Sequence, residues 1–168
     1  MTESLQQPGL YQNQIISQSI HVPFQNLYND LNEIFMNYMQ KNVMNRCAKE
    51  GYISNRNCKV ITYSAGRTVS SMVEFKVQFE VDVCYPYENM KLQCYIQSIT
   101  KIGIKAILSN DETENPIVVF ASYLHNPSIF ERNMNSEYKV GDQIQVRVLG
   151  HRFEINDPSI YVLSLIHI

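Results

Sequence analysis

The chain has no long apolar run, and this absence bears first on membranes. Of its 168 residues, 45% are hydrophobic and 18% are charged, which is typical of a globular protein. No apolar stretch approaches the roughly 20 residues that a membrane-spanning helix needs. Residues 1–11 are polar and acidic rather than basic and then apolar, so we expect no signal peptide. We therefore expect a soluble, intracellular protein.

An excess of basic residues is also absent. The chain carries 14 Lys and Arg against 16 Asp and Glu, a net charge of −2. Residues 1–90 and residues 91–168 each hold seven basic and eight acidic side chains. Tight binding of nucleic acid through electrostatics alone is therefore excluded. Any RNA contact must be local, weak or strengthened by a larger assembly.

Residues that could build an enzyme site are few. The histidines, His21, His125, His151 and His167, and the cysteines, Cys47, Cys58, Cys84 and Cys94, lack the spacing of metal ligands. We expect reduced, buried thiols. Gly66 and Arg67 lack the further glycines and the lysine of a phosphate-binding loop. Asp111, Glu112 and Glu114 could bind a cation, although a solvated loop explains them better. We predict a noncatalytic protein with no cofactor and no metal.

Strict alternation is the clearest pattern present. From residue 72 to residue 85, apolar side chains interleave with polar ones, and this period of two predicts a long strand of a half-buried antiparallel sheet. At about 3.3 Å per residue such a strand spans roughly 45 Å, far more than a small barrel needs. It lies at the middle of the chain and runs into Pro86. We predict that two neighbouring modules share it.

The N-terminal half reads as strand, helix and three strands. A first strand is predicted over residues 14–22, followed by an amphipathic helix from residue 27 that Gly51 ends. Short strands at 52–54 and 59–63, with a turn at 55–57 between them, precede the long strand. This order predicts an α+β domain over residues 1–85, with one main helix on an antiparallel sheet.

The C-terminal half reads as five short strands. They are predicted at 92–99, 104–108, 117–120, 143–149 and 160–165, with the longest connection between the third and the fourth. This layout is typical of an OB barrel, a five-stranded all-β fold. We predict such a barrel over residues 86–168.

OB barrels bind single strands through aromatic and basic side chains on their second and third strands. The candidate RNA-binding residues are Lys101, Lys105, Phe120, Tyr123, His125, Arg147, His151 and Arg152. Phe120 also fits the barrel core, because it ends an apolar run. Ile104, where such barrels often carry a stacking aromatic, favours weak contact. Gly66 and Arg67 predict either a bend that presents the arginine to a partner's carboxylate or an ordinary hairpin.

The order of these landmarks resembles the seventh-subunit stalk family of multisubunit DNA-directed RNA polymerases, a family that has an archaeal counterpart. The likeness covers residues 11–166 and rests on Gly51, Tyr52 and Ile53, then Gly66 and Arg67, then residues 73–77 leading to Pro86, with 99–104 as the first barrel hairpin. Residues 150–157 are similar to versions from large cytoplasmic DNA viruses.

The resemblance implies a noncatalytic stalk subunit. Its N-terminal tip domain would dock at the base of the clamp on the largest polymerase subunits, and its barrel, similar to that of a ribosomal S-one protein, would lie near the RNA exit path. By position, the docking residues are Gly51, Tyr52, Ile53, Gly66, Arg67 and Thr68. Contact with nascent RNA would be weak.

Several alternatives stay open. A small companion subunit could accompany the tip domain, and no membrane partner is implied. A viral protein would act in the host cytoplasm and the virion, whereas a cellular one would act in the nucleus. The alternative function is a free-standing protein that binds single-stranded RNA through its OB barrel, as a translation or RNA-decay factor.

Overall fold

Two sheets account for the strands of this computed structural model, which describes residues 9–109, 115–128, 131 and 137–167. The first sheet contains β1 (Tyr11–Pro23), β2 (Arg46–Ala48), β3 (Gly51–Tyr63), β4 (Arg67–Val69) and β5 (Met72–Cys84), with helix α1 (Leu31–Asn42) against it. The second contains β6 (Lys91–Ile99), β7 (Gly103–Ile107), β8 (Ile117–Ser122), β9 (Gln143–Arg152) and β10 (Ile160–His167). Asp111, Glu112 and Glu114 lie outside the described residues.

The long alternating strand is confirmed as β5, the central strand of the N-terminal sheet. The strand order is β1-β5-β3-β2, and β4 pairs with the other end of β5. Its apolar residues face the helix and are buried, with Val77, Phe79, Val81 and Val83 fully inaccessible to solvent. The prediction that two modules share β5 needs correction, because its pairing partners are β1, β3 and β4. Only its last residue, Cys84, joins the apolar cluster of the barrel.

Helix α1 covers one face of this sheet. Asp30 caps its N-terminus by accepting a hydrogen bond from the backbone N–H of Asn32 at 2.9 Å, and Lys41 lies in its last turn. Phe35 and Met39 are fully buried against β1, β3 and β5. Burial of each such side chain contributes about 1.5 to 3 kcal/mol, so the contact with the sheet stabilises this helix more than its own propensity does.

The predicted helix end at Gly51 is wrong. The helix ends at Asn42, and the backbone N–H of Met44 bonds to the carbonyl of Met39 at 2.9 Å. Asn45 then adopts a left-handed conformation with φ of 59°, which turns the chain into β2. Arg46–Ala48 forms a hairpin with the start of β3, so the basic residues that suggested a helix C-terminus lie mostly on and beside a strand.

The predicted turn at residues 55–57 is also wrong, because β3 runs through it without a break. Ile53 pairs with Val83, and the next paired residue, Cys58, pairs with Val81. The intervening residues of β3 therefore outnumber those of β5 and are accommodated as an irregularity of register. Asparagines that favour turns are tolerated here for that reason.

The C-terminal barrel is confirmed. Its strands close in the order β10-β8-β7-β6-β9, and β8 pairs with β10 in parallel while the other pairs are antiparallel. The inward residues alternate along each strand, and Leu92, Ile104, Val119, Val146 and Ile160 are fully buried. This closed five-stranded arrangement is compatible with an OB fold.

A buried amide fixes the end of the barrel that lies away from the first sheet. Asn126 is 4% exposed, and its Nδ2 donates to the carbonyls of Ser122 and Ser164 at 2.9 and 3.1 Å. Its Oδ1 accepts from the backbone N–H of Ile166 at 2.9 Å. Because each bond satisfies a backbone group at a strand end, Asn126 holds the segment after β8 against β10.

Candidate interaction surfaces

A joint connects the two sheets. The backbone N–H of Cys47 donates to the carbonyl of Asp157 at 2.8 Å, and the N–H of Asn156 donates to the carbonyl of Cys47 at 2.8 Å. The turn between β9 and β10 is thus hydrogen-bonded to β2. The apolar cluster of the barrel also takes in Leu10, Cys47, Tyr52 and Cys84 from the first sheet. Shared packing and these hydrogen bonds hold the barrel to the N-terminal sheet.

Three of the predicted docking residues lie inside this joint. Gly51 has φ of +137°, and a Cβ added there would lie 2.6 Å from the carbonyl oxygen of Cys84. Tyr52 is 2% exposed and Ile53 is 0% exposed. Burial rules out direct contact between these side chains and a partner. Their role in this structure is to seat the β2–β3 hairpin against β5 and the barrel.

The thiols are held in their protonated form. Burial raises the pKa of Cys47 to about 11, and the negative charge of Asp157 adds to the effect. Burial alone raises the pKa of Cys58 to about 11 and that of Cys94 to about 12. No disulfide joins the four cysteines, all of which lie in the described part of the chain. They therefore act as packing groups rather than as nucleophiles.

The other three predicted docking residues lie at the opposite end of the sheet, about 40 Å along β5 from the joint. Gly66 is needed there because an added Cβ would lie 2.4 Å from Cγ1 of Val73. Arg67 and Thr68 are exposed on β4. Nη2 of Arg67 bonds to Oε2 of Glu74 at 3.0 Å, and this hydrogen bond is the main reason that the pKa of Glu74 is lowered. Nε2 of His21 lies 3.7 Å from the same oxygen.

Next to this charged row lies an apolar surface that the sequence patterns did not predict. Val69 pairs with Met72, which pairs with Pro23 on its other side. Val69 is 37% exposed, Met72 is 40% exposed and Phe24, directly after β1, is 44% exposed. We call Phe24, Val69 and Met72 the tip patch. Its signal in the sequence was an apolar Met72 at an outward position of β5, beside the Ser70 and Ser71 turn.

Five predicted RNA-binding residues come together on the β7–β8 side of the barrel. Lys105 lies directly opposite Phe120 across the two strands. Phe120 points outward and is half-buried, so the alternative that it belongs to the barrel interior is wrong. Its ring covers Gly103, where an added Cβ would lie 3.0 Å from the ring. Lys101 is exposed in the preceding turn.

Tyr123 and His125 complete this surface at the end of β8. The backbone N–H of Tyr123 donates to the carbonyl of Ile102 at 3.1 Å, which holds the segment after β8 against the β6–β7 turn. His125 is exposed in the same segment. We call Lys101, Lys105, Phe120, Tyr123 and His125 the barrel face.

The remaining three candidates lie elsewhere on β9, which is adjacent to β6 and β10 rather than to β7 or β8. Arg147 pairs with Lys91 and Leu165, and its Nε is buried without a hydrogen-bond partner. His151 stacks against Phe153 and meets the ring of Tyr85 edge-on, with centroids 6.0 and 4.7 Å apart. His151 therefore packs where β9 meets the chain leaving β5.

Arg152 is the last of these three. It is 85% exposed and lies 3.5 Å from the carboxylate of Glu154. Because it shares the end of β9 with His151, it is remote from the barrel face.

Metal-binding and membrane-spanning features do not occur in the described part of the chain. Among the described residues, no group of three or more His, Cys, Asp or Glu side chains could hold a metal ion. Within the same ranges, no helix has the length and apolar character to cross a membrane.

Comparison with curated proteins finds a relative in Acanthamoeba polyphaga mimivirus that is named as a putative DNA-directed RNA polymerase subunit. The two are 21% identical over 172 residues, which span 95% of this chain and 82% of the relative. No protein-family model matches the chain. The chain is thus similar, along nearly its whole length, to a large-virus protein with a polymerase-subunit name.

Proposed function

We propose that the chain is a noncatalytic stalk subunit of a viral DNA-directed RNA polymerase, related to the seventh-subunit family. The observation that carries this proposal is the similarity to the mimivirus protein over 95% of the chain, across both sheets. The architecture supports it, because an antiparallel sheet with a helix on one face precedes a closed five-stranded barrel. In this proposal the chain acts in the host cytoplasm and the virion.

The tip patch is the proposed docking surface on the largest polymerase subunits, at the base of the clamp. Exposed apolar side chains beside a row of charged ones are typical of protein–protein contacts. Arg67, which is 76% exposed, adds a cation that can bind a partner's carboxylate while it stays near Glu74. The joint makes the proposal mechanical, since a barrel fixed to the N-terminal sheet keeps its position relative to the docked tip.

We predict that substitution of the tip patch weakens assembly. In the variant Val69→Asp with Met72→Asp, two charges would enter the docking contact, and recovery of the largest polymerase subunits with tagged protein should fall by about tenfold or more. Arg67→Glu should lower it in the same direction, with little change in thermal stability, because exposed ion pairs stabilise folded proteins only weakly. Quantitative mass spectrometry of the purified complexes measures the recovery.

Ile61→Asp is the matched control for this experiment. Ile61 is 47% exposed on β3, away from the tip patch, and the substitution makes a comparable chemical change. Normal recovery with Val69→Asp and Met72→Asp would show that docking uses another surface. Absence of polymerase subunits from the unmodified protein would refute the proposed function itself.

The barrel face favours weak contact with emerging RNA as part of the same role. Lys101 and Lys105 are its cations, and Phe120 offers a half-buried aromatic ring. We predict low affinity of the isolated chain for single-stranded RNA, with a slope of log K against log salt near −1.4 for about two phosphate contacts. The variant Lys101→Glu with Lys105→Glu should abolish this binding, whereas Arg152→Glu should leave it unchanged. Fluorescence anisotropy with a labelled oligonucleotide measures both.

The same titration tests the alternative, a free-standing RNA-binding protein. Tight binding with a slope several times steeper would favour that alternative, because it would require many more phosphate contacts than the barrel face supplies. Equal loss of binding in both double and single variants would show that the RNA path extends along β9.

A further inference from the structure

β1 forms a long edge of the N-terminal sheet and is open on one side. All 13 of its residues pair with β5 in an unbroken antiparallel register, and no other strand in the described part of the chain pairs with it. The opposite edge is different, because the turn between β9 and β10 is hydrogen-bonded to β2 through Cys47. The fold thus closes one edge with its own barrel and leaves the other exposed.

This edge lacks the usual protection against pairing with another strand. Natural edge strands carry lysines, prolines or bulges that discourage a further strand. From residue 12 to residue 22, β1 has no Lys, Arg, Asp, Glu or Pro, and its register contains no bulge. By contrast, β3 carries Arg56 and Lys59 and two irregularities of register where it extends past β2. Only one of the two edges is therefore suited to accept a strand.

The side chains around β1 indicate what kind of strand fits. On the helix side, Ile16 and Ile20 are buried, so an added strand would place apolar residues beside them. On the outer side, Ile15 is 62% exposed, and Asn13 donates to Glu80 and Asp82 of β5 at 3.1 and 3.2 Å.

These two carboxylates differ in how far the chain itself compensates them. Lys59 lies opposite Glu80 on β3, whereas Asp82 falls where the β3 register breaks and has no residue opposite it. A lysine or arginine on an adjoining strand could reach across the uncharged β1 toward Asp82 and Glu80.

We propose that β1 accepts an extended segment of a partner protein as an additional strand, with apolar side chains toward α1 and a basic side chain on the outer face near Ile15. Backbone hydrogen bonds would provide the attachment, and the alternating side chains would provide the selectivity. The identity of the partner as a polymerase-associated protein rests on the proposed function, but the open edge does not.

Amide hydrogen exchange of the full chain, alone and in the complex purified through a tag, tests this proposal. In the isolated protein, the amides of residues 12–22 that point away from β5 should exchange quickly. In the complex they should be protected by at least about tenfold, whereas residues 58–63 of β3 should change little. Unchanged exchange of residues 12–22 in the complex would overturn the proposal.

A pair of opposite substitutions at Ile15 tests the charge of the partner strand. Because Ile15 is exposed, both Ile15→Lys and Ile15→Glu should fold normally, as circular dichroism can verify. Ile15→Lys should lower recovery of the partner several-fold, and Ile15→Glu should maintain or raise it. Equal effects of both substitutions would contradict a basic partner strand.

The outcomes separate this inference from the proposed function. Polymerase subunits that co-purify while residues 12–22 still exchange would refute the open-edge inference alone. A different complex in which residues 12–22 are protected would refute the polymerase proposal alone. Protection already present in the isolated protein would mean that a second copy or the chain's own residues 1–8 occupy the edge, and sedimentation of the full chain against one that begins at residue 9 would distinguish these two.

Discussion

Replacement of Gly51 by alanine should lower the free energy of unfolding by about 2 to 5 kcal/mol, because the new Cβ meets two separate penalties. The first is the backbone conformation, with φ of +137°, which L-amino acids rarely adopt. The second is steric, since the Cβ would lie 2.6 Å from the carbonyl oxygen of Cys84 and 3.0 Å from Cγ1 of Val83. A thermal midpoint about 5 to 20 °C lower should result.

Gly150→Ala is the control for this change. Gly150 has no atom within 4 Å of an added Cβ, and it is not among the glycines with positive φ. Its substitution should therefore change the midpoint by little. If both variants melted together with the wild type, the close approach at Gly51 would be contradicted.

The variant should also loosen the joint, and alkylation of the cysteines reports this separately from melting. Cys47 is 1% exposed, and burial with the charge of Asp157 raises its pKa to about 11, so native protein should react slowly at pH 8. In the Gly51→Ala variant, Cys47 should react before Cys94, which lies within the barrel. Mass spectrometry after timed alkylation resolves the two sites.

The periodicity of the side chains was enough to predict most strands and the closed barrel. Alternation from Val73 to Val83 is a local property that the strand keeps in the fold, and short apolar runs between turn residues gave all five barrel strands. The helix end was mispredicted because the left-handed turn at Asn45 is a tertiary feature. It forms where the backbone N–H of Asn45 bonds to the carbonyl of Ile53, a residue eight positions later.

Prediction of the interaction surfaces was less complete, because exposure depends on packing between elements. Gly51, Tyr52 and Ile53 looked suitable for docking by their place in the chain, yet the barrel covers them. His151 was grouped with the barrel face by residue type, whereas the strand order separates β9 from β7 and β8. Only the pairing of Val69, Met72 and Pro23 across three strands reveals the tip patch.

Replacement of Phe35 by alanine should cost about 3 to 5 kcal/mol of unfolding free energy, the range for truncation of a buried aromatic side chain. Phe35 is 0% exposed, and its ring meets those of Tyr63 and Phe75 edge-on at 5.2 and 5.6 Å between centroids. Because α1 is held to the sheet mainly by this face, the loss should appear as weaker protection of residues 31–42 in hydrogen exchange, with urea denaturation giving its magnitude.

Phe24→Ala makes the same chemical change on the tip patch and separates stability from docking. Phe24 is 44% exposed, so its truncation should cost well under about 1.5 kcal/mol. The variant should nevertheless lose polymerase recovery, since exposed aromatic side chains often contribute most of the binding energy at an interface. A Phe24→Ala variant with full recovery and a Phe35→Ala variant with wild-type stability would contradict the tip patch and the core, respectively. Each of these results alone leaves the other assignment intact, because the two phenylalanines lie on opposite sides of the boundary between core and surface.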